Sequence, residues 1–157
     1  MSFENVKKYF LEKGLEHRVE ILNTSSATVE MAAAALECEP KQIAKTLSFK
    51  VDKSTVLVVA AGNVKMDNKK FKSRFGRRPK MLPGKSVKEL IGHDVGGVCP
   101  FVVKSDVKVY LDVSLKQNKI VYPAAGSENS LVRLSIEELE EHTGFEGWVD
   151  VGKPPEN

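Results

Sequence analysis

The chain has 157 residues, of which 41% are hydrophobic and 29% are charged, and its formal net charge is +3. A chain of this length can bury a substantial core, and we expect a single domain over residues 1–157 with its core in about residues 18–151. No apolar run approaches the ~18 residues of a membrane-spanning helix, and the first residues lack the apolar stretch of a signal peptide. These features predict a cytoplasmic globular protein without a membrane partner.

The sequence lacks the signatures of common hydrolases and metal sites. Its two cysteines, Cys38 and Cys99, have no CxxC spacing, which argues against a zinc site or a disulfide framework. No GxSxG or HExxH segment is present, and the histidines are scattered along the chain. We therefore expect no metal and no other cofactor.

The first third of the chain reads as helices and strands in alternation. Ser2 is predicted to cap a helix that runs to about residue 13 and ends at Gly14. A strand is expected over residues 18–22, and Thr28 is predicted to cap a helix over residues 29–37. Pro40 suits the first turn of a short helix that leads into the next strand.

The remaining elements mix hairpins with helices, which indicates an α+β fold. Strands at about residues 46–51 and 55–61 flank Asp52-Lys53-Ser54, which predicts a β-hairpin. Helices are expected over 67–75 and 86–91, and strands near 107–111, 119–122 and 131–134. Ser135 and Glu138 form a capping box for a helix that runs to residue 142. A last strand is expected over 147–151, followed by a frayed tail at 154–157.

Lys45 stands at an unusual position for a lysine. It begins an alternating segment in which Leu47, Phe49 and Val51 share its face, so its side chain starts on the apolar side of a strand. A buried ammonium without a partner is costly. We therefore expect an anion or a carbonyl group as its partner.

Residues 96–100, which we call the glycine loop, read as a second element of a binding site. Gly96 and Gly97 can take positive φ and let a ligand approach the main chain. Pro100 fixes its own φ and biases Cys99 toward an extended conformation. The predicted loop is stiff, with backbone groups facing the ligand; Val98 belongs to it, and Cys99 reads as a small wall or core residue. His93, just before the loop, reads as a supporting or exposed histidine.

A run of basic residues without an acid lies between residues 69 and 80. One interpretation is a solvated helix face in which Phe71 and Phe75, four residues apart, form the buried stripe. The other is a surface that contacts phosphates of nucleic acid. The basic residues are Lys69, Lys70, Lys72, Arg74, Arg77, Arg78 and Lys80.

Residues 125–130 form a third candidate wall of the site. Gly126 permits a turn, and Ser127 and Asn129 could reach into a pocket. The alternative is an ordinary polar turn. Asp112, after a predicted strand, is expected to pair with a group at a strand end rather than with the lysine.

Five segments together resemble the YbaK/prolyl-tRNA synthetase-associated domain family, whose free-standing members hydrolyse mischarged aminoacyl-tRNA. They occur in the family's order within residues 18 to 150. The segments are Ala27-Thr28-Val29-Glu30, Gln42-Ile43-Ala44-Lys45-Thr46-Leu47, Gly92-His93 with Gly96-Gly97-Val98-Cys99-Pro100-Phe101, Tyr110-Leu111-Asp112 and Ala125-Gly126-Ser127.

The resemblance implies a fold and an activity. The fold is a curved mixed sheet, mainly antiparallel and partly closed into a barrel, with helices around it. The activity is trans-editing hydrolysis of the ester of Cys-tRNA(Pro), or of tRNA charged with alanine, serine or threonine. Thr46 beside Lys45 resembles the cysteinyl-tRNA branch. The implied partner is the acceptor end of a tRNA rather than DNA, with a synthetase such as prolyl-tRNA synthetase as a further partner.

The implied chemistry needs little from the protein, because an aminoacyl ester is already reactive and a ribose hydroxyl lies beside it. Lys45 would contact the ester oxygen or the terminal phosphate, and Thr46, the glycine loop, Gly126, Ser127 and Asn129 would hold the aminoacyl group. A substrate thiol could itself attack the ester. The alternative function is a catalytically silent tRNA-binding or synthetase-docking module.

Overall fold

The computed structural model describes residues 2–155, which contain five α-helices and ten β-strands. The helices are α1 (Ser2–Glu12), α2 (Val29–Leu36), α3 (Asn68–Phe75), α4 (Gly84–Ile91) and α5 (Ile136–Thr143). The strands are β1 (Val19–Ile21), β2 (Ile43–Val51), β3 (Ser54–Ala61), β4 (Lys65–Met66), β5 (Lys108–Asp112), β6 (Ile120–Pro123), β7 (Ser130–Val132), β8 (Leu134–Ser135), β9 (Gly147–Val149) and β10 (Gly152–Lys153).

Six strands form one sheet in the order β8-β6-β2-β3-β5-β9. The β2–β3 and β6–β8 pairs are antiparallel, whereas β2–β6, β3–β5 and β5–β9 are parallel. Two small antiparallel pairs, β1–β7 and β4–β10, complete a sheet system that curls into a half-barrel. The expected α+β class with a curved, mixed sheet partly closed into a barrel is confirmed. The sheet was also expected to be mainly antiparallel, but three of the five pairs in the six-stranded sheet are parallel.

Strand β3 is buried on both faces, and its alternating side chains serve two cores. Leu57 and Val59 point into the main core, which also takes in side chains of α1, α4 and α5. Val56 and Val58 point the other way, into a smaller cluster formed with Phe49 and α3. The period of two therefore places α3 on the sheet face opposite to the main core.

The helices pack against the rest of the protein through the apolar faces that their sequences predict. In α1, Phe10 packs edge-on against Phe101, which follows the glycine loop, with the ring centroids 5.0 Å apart. In α3, Phe71 is fully buried and its ring centroid lies 4.8 Å from that of Phe49. Thr28 caps α2 as expected, since its side chain accepts a hydrogen bond from the Met31 amide.

Several short elements differ from the sequence-based expectation. The strand expected over 131–134 is split between β7, which pairs with β1, and β8, which pairs with β6. The strand expected over 147–151 ends at residue 149 as β9, and β10 and β4 were not predicted. Strands of two or three residues are too short to show an alternating pattern. Ser2 lies inside α1, and its hydroxyl hydrogen-bonds to Nδ1 of His93.

The ends of the chain fall partly outside these elements. Glu156 and Asn157, in the tail expected to fray, lie outside the described residues. Over residues 2–155, no helix combines the length and the apolar character that crossing a membrane would require.

Candidate active site

The site lies where β2 changes its hydrogen-bonding partner. The parallel pairing of β2 with β6 ends at Ala44 and Pro123. The same edge is covered again further along, where the Leu82 amide donates to the Ser48 carbonyl. Between these two points the edge is open, and a cavity of about 300 Å³ lies beside it. We call it the lysine cavity, because Lys45 is one of its walls.

Thr46 lies at the centre of this open edge. The Ser48 carbonyl and the Lys50 amide both bond to the segment of residues 80–82, so even-numbered residues of β2 direct their main chain to this edge. Thr46 therefore directs its N–H and C=O toward the gap. Its hydroxyl oxygen is buried and has no hydrogen-bond partner among residues 2–155. A buried polar atom without a partner is costly, which makes this one ready to accept a bond from a ligand.

Lys45 is half-buried, and its ammonium donates a hydrogen bond to the Val64 carbonyl. This contact provides the carbonyl partner expected from the sequence. Burial lowers the pKa of Lys45, an effect that Glu30 opposes and Lys65 reinforces. The ammonium is thus partly desolvated beside the cavity, where it interacts with an anion more strongly than an exposed lysine does.

The glycine loop forms part of the wall of the lysine cavity, which Gly96 and Val98 line. Gly97, the second glycine of the loop, is required for a reason other than the positive φ expected from the sequence. Positive φ was expected at Gly96 or Gly97, but Gly92 and Gly126 adopt it instead. A Cβ on Gly97 would lie 2.5 Å from the carbonyl carbon and oxygen of Gly126, so Gly97 is needed for close packing of two main chains.

His93 supports the glycine loop through hydrogen bonds of both ring nitrogens. It is 1% exposed; its Nε2 lies 2.6 Å from the Phe101 carbonyl oxygen, and its Nδ1 bonds to the Ser2 hydroxyl. Since a carbonyl oxygen only accepts, Nε2 carries the proton and Nδ1 accepts from Ser2. Burial lowers the pKa of His93 more than the Phe101 carbonyl and Asp94 raise it. His93 is therefore a neutral support, the first of the two roles expected for it.

Cys99 and Pro100, predicted among the substrate-binding residues, line neither of the cavities described in this subsection. Both are buried, and the Cys99 sulfur lies 3.4 Å from Nε2 of His93 in the main core. The thiol lies near Nε2 of His93 and the Phe101 carbonyl. Burial raises the pKa of the Cys99 thiol to about 12. Cys99 is thus a core residue.

The turn after β6 forms the opposite wall. Ser127 lines the lysine cavity, and its hydroxyl donates to Asn129 at 3.0 Å. Asn129 in turn donates to the Leu22 carbonyl at 3.3 Å, so its amide group holds the turn in place. The predicted substrate contacts of Ser127 and Asn129 would therefore compete with hydrogen bonds that these side chains already make, within the turn and to Leu22. Asp112 likewise has the structural role expected, since it accepts from the Ser114 and Val151 amides.

A second cavity of about 490 Å³ lies on the far side of Gly96 and Ser127. We call it the α1 cavity, because Ser2, Phe3 and Glu4 of that helix line it. Gly97, Gly126 and Asn129 line this cavity and are absent from the wall of the lysine cavity. The predicted substrate-binding residues are thus divided between two adjoining cavities.

The basic segment is only partly free to bind phosphate. Lys70 pairs with Asp150 at 3.1 Å, Arg77 pairs with Asp52, and the Arg74 guanidinium lies over the ring of Tyr110. Lys69, Lys72, Arg78 and Lys80 are exposed and make no salt bridge among residues 2–155. Phe71 is fully buried, as the interpretation of a solvated helix face expects, and phosphate contact by the four exposed residues stays a prediction.

Sequence reasoning missed several walls of the site. Ser26, Ala27, Thr28 and Val29 line the lysine cavity at the start of α2, although they were quoted only as part of the family resemblance. The capping residue Thr28 was a usable signal, because a helix start places main-chain N–H groups at a surface. Within residues 2–155, no three His, Cys, Asp or Glu side chains come together as a metal-ligand set.

We expect Gly97→Ala to lower the free energy of unfolding by about 1–3 kcal/mol, because the added methyl group overlaps the Gly126 main chain. Urea denaturation measures the change. Gly147→Ala is the matched control, since no atom of residues 2–155, apart from its chain neighbours, lies within 4 Å of a Cβ built there, and we expect a change within about 0.5 kcal/mol. Equal losses in the two variants would contradict the proposed contact.

His93 should also make the stability depend on pH. Its pKa is lower in the folded protein than in the unfolded chain, so the unfolded chain takes up a proton first as the pH falls below about 6.5. Stability is then full above that pH and declines below it. Between about pH 7.5 and pH 5, the free energy of unfolding should fall more steeply for the wild type than for His93→Asn. The exposed His17→Asn serves as the control and should keep the wild-type slope.

Known proteins share both the sequence and the fold of this chain. The model of the aminoacyl-tRNA editing domain family matches residues 24–142, which include Lys45, the glycine loop and Ser127. The chain is 45% identical over 154 residues to the uncharacterized protein YwhH of Bacillus subtilis (strain 168), with 98% of each covered. It is 31% identical over 102 residues to the proline–tRNA ligase of Bacillus cytotoxicus, and this match covers 64% of this chain and 18% of the ligase.

The structural similarity extends over nearly the whole chain. A crystal structure of a candidate trans-editing enzyme for prolyl tRNA synthetase superposes with a TM-score of 0.86, at 29% identity and with 97% of each chain covered. The family model covers most of this sequence and includes the residues that surround the lysine cavity. The chain therefore belongs to the aminoacyl-tRNA editing domain family.

Proposed function

We propose that this protein is an aminoacyl-tRNA deacylase that hydrolyses the ester of a tRNA charged with a small, incorrect amino acid. The observation that carries the proposal is the desolvated ammonium of Lys45 beside a small cavity with an open strand edge. Membership of the editing-domain family supports the reaction class. The similarity to proline–tRNA ligases supports tRNA(Pro) as the substrate and a prolyl-tRNA synthetase as a partner.

The dimensions of the lysine cavity favour a small aminoacyl group. About 300 Å³ is near the lower end of the range for ligand pockets. Its walls include the apolar Val29, Leu47 and Leu131, with Thr46 as a polar group that lacks a partner. This lining suits the side chain of cysteine, alanine, serine or threonine, and the Thr46 hydroxyl can bond to a substrate thiol or hydroxyl.

In the proposed reaction, water attacks the ester carbonyl carbon. A new carbon–oxygen bond forms, the bond to the ribose oxygen breaks, and that oxygen leaves with a proton as a hydroxyl. Lys45 stabilises the negative charge that develops on the carbonyl oxygen, and the neighbouring ribose hydroxyl assists proton transfer. Cys99 is unsuited to act as a nucleophile, because its thiol is buried and has a pKa of about 12.

The basic segment offers a path for the rest of the tRNA. Lys45 and Phe49 lie on the same face of β2, and Phe49 contacts Phe71 of α3. Helix α3 and its exposed lysines are therefore on the same side of the sheet as the site lysine. Lys65, close enough to Lys45 to affect its pKa, bridges the two regions. We infer that phosphates near the acceptor end follow this surface.

Lys45→Ala should reduce kcat/KM for the mischarged tRNA by about 10²-fold or more, because the variant has no oriented donor at this position in the transition state. The exposed Lys53→Ala, on the hairpin turn, is the control and should retain full activity. Deacylation of a panel of tRNAs charged with cysteine, alanine, serine or threonine provides the measurement, in buffer with EDTA, since we expect no metal requirement.

Circular dichroism should show that Lys45→Ala keeps the wild-type fold. Wild-type turnover by this variant on the preferred substrate would rule out the role of Lys45. A wild-type protein that binds the tRNA acceptor stem but hydrolyses no member of the panel would favour the silent docking module.

Combined replacement of Lys69, Lys72 and Arg78 by glutamine should raise KM and leave kcat nearly unchanged. Interactions made equally in the ground and transition states contribute only to binding. Removing one phosphate-binding side chain should reduce the log–log salt slope of binding by about 0.7 to 0.9. Kinetics on full-length mischarged tRNA at several salt concentrations would measure both effects.

The control for this experiment removes the same charge elsewhere. Lys8, Lys108 and Lys119 are exposed and lie outside the basic segment. Their combined replacement by glutamine should leave the salt slope closer to the wild-type value. If both triple variants lower the slope equally, the basic segment acts only through net charge.

A further inference from the structure

The two cavities that meet at Gly96 and Ser127 carry opposite charges. On one side is Lys45, with Lys65 nearby and Glu30 partly opposing it. On the other side the charged residues that line the α1 cavity are Glu4, Asp94 and Glu128. Asp94 is paired with Lys88 at 3.5 Å. The shared wall therefore separates a cationic side from an anionic side.

Glu128 is the carboxylate that lies directly against this wall. A Cβ built on Gly96 would lie 3.3 Å from both Cβ and Oε2 of Glu128. The main chain of Glu128 is held in place, because its carbonyl accepts from the Ser26 amide at 2.6 Å and from the Ser26 hydroxyl at 3.1 Å. Its carboxylate makes no salt bridge among residues 2–155. An unpaired negative charge thus lies at the junction of the two cavities.

An aminoacyl-tRNA carries charges of both signs at its reactive end. The α-amino group next to the ester has an ordinary pKa of about 7.7–8.0 and is largely protonated at neutral pH. The phosphates and the developing oxyanion are negative. A carboxylate beside Gly96 disfavours an anion there and attracts a cation, whereas Lys45 does the reverse.

We propose, building on the deacylase function above, that Glu128 receives the α-ammonium of the aminoacyl group and fixes the direction of the ester across Gly96. The ester oxygen then faces Lys45, and the amine faces the α1 cavity. The consequence is a substrate requirement: a free α-amine is preferred, and N-acylated aminoacyl esters are disfavoured. Glu128 is thereby a specificity-determining residue for the amine rather than for the side chain.

The experiment compares two probes that cannot be hydrolysed. Both are acceptor-stem RNA minihelices that carry alanine on a 3′-amide linkage, one with a free α-amine and one N-acetylated. Fluorescence anisotropy gives the Kd of each for wild type, Glu128→Gln, Glu128→Asp and the control Glu137→Gln, an exposed residue of α5. The quantity of interest is the ratio of the two Kd values.

Wild type should bind the free amine more tightly than the acetylated probe. Glu128→Gln should reduce this preference by about threefold to fivefold, the upper part of the range for a solvent-accessible ion pair. Glu128→Asp should retain part of it, and Glu137→Gln all of it. A wild-type protein without the preference, or a preference unchanged in Glu128→Gln, would overturn the proposal.

A parallel assay with the ester-linked minihelices separates this inference from the proposed function. Amine preference that depends on Glu128, without hydrolysis of any ester, would keep the ammonium contact and reject the deacylase. Hydrolysis that is equally fast for free and acetylated esters would keep the deacylase and reject the contact. A wild-type protein that binds neither probe and hydrolyses no ester would contradict both.

Discussion

The site depends on one interruption in the hydrogen bonding of β2. Pairing with β6 ends at Ala44, and the segment around Leu82 covers the edge again from Ser48. Unpaired strand edges are usually protected because their free main-chain groups attract other chains. Here the free stretch is only a few residues long and lies inside a cavity. A small ligand can therefore use these groups, while another strand has no room to pair with them.

The same interruption explains the electrostatics of Lys45. A lysine on the inner face of a fully paired strand would be buried in the core, at a prohibitive cost in desolvation. At the open edge it is half-buried, keeps the Val64 carbonyl as a partner and has a lowered pKa. Partial desolvation is the useful compromise, because it strengthens the attraction for an anion and still leaves the ammonium accessible.

Most of the fold was predictable, because it rests on local patterns that the sequence displays. The hairpin of β2 and β3, the caps at Thr28 and Ser135 and the stripe of α3 all follow from short-range rules. The two-residue strands and the split of the predicted site into two cavities were not predictable, since they depend on tertiary contacts. Cys99 illustrates most clearly what the sequence cannot predict. Its position in the glycine loop follows from the sequence, but the direction of its thiol depends on tertiary contacts with His93 and Phe101.

The construction of the loop has a consequence for how specificity can vary in this protein. Gly97 packs against the Gly126 main chain, Gly126 packs against Ser2, and His93 ties Ser2 to Phe101. A Cβ added at Gly97 or at Gly126 would overlap the main chain packed against it, so a side chain at either position requires the main chain to shift. Side chains at the cavity rims, such as Glu128 and the 65% exposed Val95, are free of this constraint. Changes in substrate preference should therefore arise at the rims, while the main-chain frame that orients the ester stays fixed.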